Sequence, residues 1–108
     1  MAERDVIDSI QRYIQCLEAS GIPVSFVVLY GSQAHGNVHE WSDIDLLVVS
    51  PRYDETLHCE DMDLLAYLAA LVDSRIEPIP CGEQQWADDD SSALIEIARR
   101  EGRKIRAA

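Results

Sequence analysis

Two short apolar runs constrain this chain more than any other feature. Val24 to Leu29 is apolar at every position except Ser25, and a second run leads from Ile44 to Val49, broken only by Asp45. A strand that is apolar on both sides is covered on both faces, so Val24 to Leu29 predicts a central strand, with the strand from Ile44 to Val49 beside it. The segment between them, Gly31 to Ser42, is too polar for a strand. Ser32-Gln33-Ala34-His35 can start a short helix there, which Gly36-Asn37 would end. The local order is strand, glycine turn, linking segment, strand.

Helical spacing accounts for much of the rest. Val6, Ile7, Ile10, Ile14 and Leu17 recur at the helical period, with Gly21 at a C-terminal cap position. They predict a helix from about Glu3 to Ala19. Met62, Leu65, Leu68, Ala69 and Val72 predict another from Asp61 to Asp73, with a charged loop from Arg52 to Glu60 before it. Arg75 to Pro80 alternates with period two, but Pro78 and Pro80 cannot donate ladder hydrogen bonds, so it reads as an edge strand. Cys81 to Asp90 reads as loop. Ser92 to Glu101 reads as a helix with acidic and hydroxyl residues before it and Arg99 and Arg100 near its C-terminus. Lys104 to Arg106 reads as a short closing strand. The fold class expected is α/β (α+β), a sheet flanked by helices.

A length of 108 residues predicts one domain, residues 1–108. The chain has no run of 18 apolar residues and no basic-then-apolar N-terminus. A cytoplasmic protein without membrane contact is expected. Twenty acidic residues against nine basic ones give a net charge of -11. Direct nucleic-acid binding rests largely on Lys and Arg, so it is not expected here. A basic protein partner is compatible with the charge. Cys16, Cys59 and Cys81 form no C-x-x-C pair, which points to neither a disulfide framework nor a zinc site. His58-Cys59 reads as ordinary loop chemistry for the same reason.

Three features converge on one chemistry. Gly31-Ser32 follows a strand, where glycine lets backbone approach a ligand and amides can donate to phosphate oxygens. Asp43 and Asp45 are two apart at the start of the next strand, so they share a face while Ile44 takes the other. Converging carboxylates suit a hard divalent ion such as Mg²⁺, which in turn clamps nucleotide phosphates. Glu77 lies an even number of residues from Arg75 on the third strand, which places both on one face and offers a third carboxylate. Singly, these are a turn, a surface pair and an exposed edge residue. It is their order along the chain that points to a site.

Leu29-Tyr30-Gly31-Ser32-Gln33-Ala34-His35-Gly36 followed by Trp41-Ser42-Asp43-Ile44-Asp45-Leu46-Leu47-Val48 resembles the signature of the DNA polymerase β-like nucleotidyltransferases. Among them it resembles the minimal nucleotidyltransferase (MNT) family. The resemblance implies a mixed sheet flanked by helices and transfer of a nucleoside monophosphate from an NTP to a hydroxyl. It implies Mg²⁺ held by Asp43, Asp45 and Glu77, and ATP phosphates contacted by Gly31, Ser32 and the residue at His35. Minimal members are similar to antitoxins that adenylylate a tyrosine of a HEPN-type toxin, so it also implies such a partner; a hetero-oligomer or a homodimer is expected. The family commonly carries Arg where this chain has His35, and often Asp where it has Glu77.

Other residues have plainer readings. Trp41 either stacks on a base or tucks under its loop. Tyr30 packs beneath the turn. Arg52 neutralises a nearby carboxylate, and Arg75 reaches either a triphosphate or a carboxylate. Asp88-Asp89-Asp90 caps a helix. Two further functions stay in view: a binding module that neutralises its partner by contact alone, and a small-molecule nucleotidyltransferase, which generally has an added helical domain.

Overall fold

The computed structural model describes residues 2–31, 43–88 and 92–107. Ser32, His35, Trp41 and the short helix expected after Gly31 lie outside the described residues. Helix α1 spans Ala2–Ala19, strand β1 Phe26–Tyr30, β2 Ile44–Val49 and helix α2 Cys59–Val72. Strand β3 spans Ile76–Cys81, helix α3 Glu83–Asp88, α4 Ala93–Glu101 and β4 Arg103–Ile105. A 3₁₀ turn, Pro51–Asp54, occupies the start of the loop expected from Arg52 to Glu60.

The strands form a mixed sheet in the order β3-β2-β1-β4. β2 runs antiparallel to β1 and parallel to β3, and β4 pairs antiparallel with β1. The two apolar runs are thus adjacent central strands. β3 is an edge strand, and its prolines fit for a geometric reason. The Arg75 carbonyl accepts from Ile44 N at 2.8 Å and the Cys81 carbonyl from Ser50 N at 3.0 Å. In a parallel strand alternate residues turn both backbone groups to the same side. The odd-numbered residues therefore bond to β2, while Pro78 and Pro80 face the open edge, where their missing N–H costs nothing.

Alternation along the strands builds two cores. Val27, Leu29, Ile44, Leu46, Val48 and Ile76 pack with α1 and α2 on one face. Val28, Leu47, Val49 and Cys81 pack with Ile95 and Ala98 of α4 on the other. Helix α1 presents the predicted stripe, joined by buried Tyr13, whose hydroxyl donates to the Leu65 carbonyl at 2.9 Å and ties α1 to α2. Burial pushes that hydroxyl's pKa well above the ordinary tyrosine range.

Two expectations are corrected. Met62, expected on the buried face of α2, is 48% exposed. Asp61 takes the inward position instead, pairing with Arg52 Nε at 3.1 Å and accepting from His58 N at 2.9 Å. The segment expected as loop from Cys81 onward contains α3. That helix is polar at most positions, and its first amides, Glu83 N and Gln84 N, are capped at 3.0 Å each by the Asp54 carboxylate. The cap comes from a distant part of the chain, so no local N-cap signal announces the helix. Ser92, by contrast, caps α4 as expected, its hydroxyl accepting from Ile95 N at 3.3 Å.

Candidate active site

The end of β1 and the starts of β2 and β3 meet at one end of the sheet. Tyr30 pairs with Asp45 across β1 and β2, and Asp45 pairs with Glu77 across β2 and β3. Paired residues project from the same face, so Tyr30, Asp45 and Glu77 form a row across three strands. They lie on the face of Leu47 and Val49, opposite α1 and α2. Asp43 immediately precedes β2. It is exposed, as is Glu77, whereas Asp45 and Tyr30 are half-buried.

The carboxylates feel one another. The charge of Asp43 is the largest influence raising Glu77 above the usual glutamate range, followed by desolvation and Asp45. Desolvation likewise raises Asp45, and Asp43 adds to it. A hydrogen bond between the two carboxyl groups works in opposite directions on them, lowering Asp45 and raising Glu77. Crowding at the strand end thus works against the charged forms of Asp45 and Glu77, and a bound cation is what relieves it. The donor set therefore fits a hard divalent ion chemically. Among the described residues no three such side chains already close into a metal-binding group, and Ser32 to Ser42 are not among them.

Gly31 is built into this corner. Its φ is +78°, a backbone region that favours glycine, and a Cβ there would stand 2.5 Å from Asp45 Oδ2. The glycine thus serves two ends at once, turning the chain out of β1 and leaving room for the Asp45 carboxylate.

Arg75 does not join this row. It sits just before β3, and its guanidinium turns to Asp73 at 2.7 Å and Asp5 at 3.0 Å. The shared face expected for Arg75 and Glu77 fails because Arg75 lies outside the pleated strand. Tyr30 is the residue that sequence reasoning left out of the site. Burial and the charges of Asp45 and Glu77 raise its hydroxyl pKa. Its only signal in the sequence was its position one residue before Gly31.

The family model for nucleotidyltransferase domains matches residues 10–101. The chain belongs to the nucleotidyltransferase domain family. That span runs from α1 to α4 and includes the whole carboxylate row. Among curated proteins nothing matches. Among solved structures this nucleotidyltransferase is similar to a toxin–antitoxin complex crystallised with AMP-PNP, at 25% identity and a TM-score of 0.62, over 91% of this chain and 73% of that one. It also shares the fold of a protein from Sulfolobus solfataricus described as a nucleotidyltransferase, at 16% identity and a TM-score of 0.67, over 95% and 81% of the two chains. The same fold occurs in a complex of a tri-AMPylated Shewanella oneidensis HEPN toxin with MNT antitoxin, at 20% identity and a TM-score of 0.59, over 98% and 73%. No described helix is long and apolar enough to cross a membrane.

Proposed function

We propose that residues 1–108 form a minimal nucleotidyltransferase domain that transfers AMP from ATP to a tyrosine of a HEPN-type protein, and so acts as its antitoxin. The observation that carries this reading is the Asp45–Glu77 register pair with Asp43 beside it, facing Gly31 at the end of β1. The family match supports nucleotidyl transfer, and the toxin–antitoxin neighbours support the partner class. The cytoplasm, where ATP is abundant, is the compartment this reading requires.

In this reading Asp43, Asp45 and Glu77 hold Mg²⁺, which supplies charge neutralisation around the triphosphate. Gly31 and Ser32 approach the phosphates from the turn, and His35 stands on the same segment. The tyrosine oxygen attacks the α-phosphate in line, the bond to pyrophosphate breaks, and the phenolic proton must leave. A phenol has a pKa of about 10, so it is almost wholly protonated at neutral pH. Glu77, on the edge strand β3, is the carboxylate assigned to take that proton.

The test is mass spectrometry of a co-expressed HEPN protein, with Asp43→Ala/Asp45→Ala as control. AMP on tyrosine with the native chain, and none with the control, is the expected result. Equal neutralisation by both chains with no nucleotide added would replace this reading with that of a contact-only antitoxin.

A further inference from the structure

Helix α2 is apolar on both sides. Leu65, Leu68 and Ala69 face the core, yet Tyr67 and Leu71 on the other side are 62% and 63% exposed. Residues 64–72 carry no charge at all. Met62, Ala66 and Ala70 follow one another at four-residue steps, as do Tyr67 and Leu71, and all five are exposed. Two small alanines between larger side chains allow the close approach by which another helix packs. A helix that is apolar all round normally has packing on every side.

Charge decides what kind of partner fits. Glu60 and Asp63 lie exposed at the N-terminal end of this face. A second copy of the chain would bring another net charge of -11 against it. Basic flanks on a partner would instead be drawn in and oriented. Position adds a further argument. Val72, the last residue of α2, is four residues before Ile76, where β3 begins at the carboxylate end of the sheet. β3 is the outer strand, so no other described strand separates α2 from Glu77.

We propose that the exposed face formed by Met62, Ala66, Tyr67, Ala70 and Leu71 docks an amphipathic helix with basic flanks from the protein that receives the nucleotide. The proposal rests on the adenylyltransferase reading above and assigns the surface that selects the acceptor. The docked helix lies on the side of the sheet away from the carboxylates. The acceptor tyrosine therefore comes from a segment that wraps around β3.

The probe is a HEPN-domain protein from the same cell, titrated against the native chain, Tyr67→Glu/Leu71→Glu, Glu60→Lys/Asp63→Lys and Asp43→Asn/Asp45→Asn. Buried aromatic and aliphatic anchors dominate such contacts, so the first variant is expected to weaken binding about tenfold or more. Its melting temperature and Mg²⁺-ATP affinity should match the native chain. The lysine variant should associate more slowly and lose salt dependence. The asparagine variant should bind the HEPN protein normally and transfer nothing. Undiminished binding by Tyr67→Glu/Leu71→Glu overturns the docking surface, and so does a native chain that sediments as a dimer broken by that variant. A native chain that binds no HEPN protein overturns both readings. If it binds through α2 but leaves the tyrosine unmodified, only the transfer reading fails.

Discussion

Gly31→Ala tests the link between the turn and the carboxylates, and the molecule supplies its own control. Both Gly31 and Gly21 have positive φ, +78° and +90°, so alanine at either position strains the backbone. That strain costs about 1–2 kcal/mol per residue, which for a domain of this size is roughly 4–16 °C in melting temperature. The surroundings differ. A Cβ at Gly21 meets nothing within 4 Å, whereas at Gly31 it stands 2.5 Å from Asp45 Oδ2 and 3.5 Å from Asp45 Cγ. The oxygen is the tip of a rotatable side chain, so it turns away at little cost in stability. Its direction is then lost to any ligand. The two variants should therefore be similarly destabilised in urea, but only Gly31→Ala should lose Mg²⁺-ATP affinity. One charge-assisted contact is worth about 1.5–3 kcal/mol, or on the order of tenfold to a hundredfold in binding. Calorimetry on Gly31→Ala, Asp45→Ala and the double variant completes the cycle. If Gly31 acts through Asp45, the double variant binds no worse than Asp45→Ala. A full additional loss, or native affinity in Gly31→Ala, would refute the reasoning.

Glu77→Gln should stabilise the chain at neutral pH. The folded pKa of Glu77 is raised, so folding favours its protonated form, and that contribution is lost as pH rises through the folded value. The advantage of the variant should vanish in melts run below the usual carboxylate range. Asp73 has the opposite sign. Arg75 and Ser9 donate to it, holding its carboxyl well below the usual range, so its contribution is lost as pH falls. Asp73→Asn should cost about 2 kcal/mol in urea unfolding, because it weakens charged hydrogen bonds joining α1, α2 and β3. His35→Arg should tighten ATP binding on the order of tenfold, by adding a permanent charge beside the phosphates; equal or weaker binding in calorimetry would mean that this residue points elsewhere.

The central strands and α1 were legible because burial on both faces, or on one helical stripe, writes itself directly into residue order. The prolines likewise marked an edge, because they cannot donate to a neighbouring strand. On α2 the helical spacing placed Leu65, Leu68, Ala69 and Val72 on the packed side, and only Met62 fell on the other, because Asp61 takes the inward position and meets Arg52. Helix α3 depended on Asp54, whose carboxylate is brought to it only by the fold. The site divides in the same way. The sequence supplied the carboxylates and the glycine. Only the strand register brought Asp45 and Glu77 into one row with Tyr30, beside Gly31. Spacing along a strand is local and readable, but pairing between strands is a property of the assembled sheet.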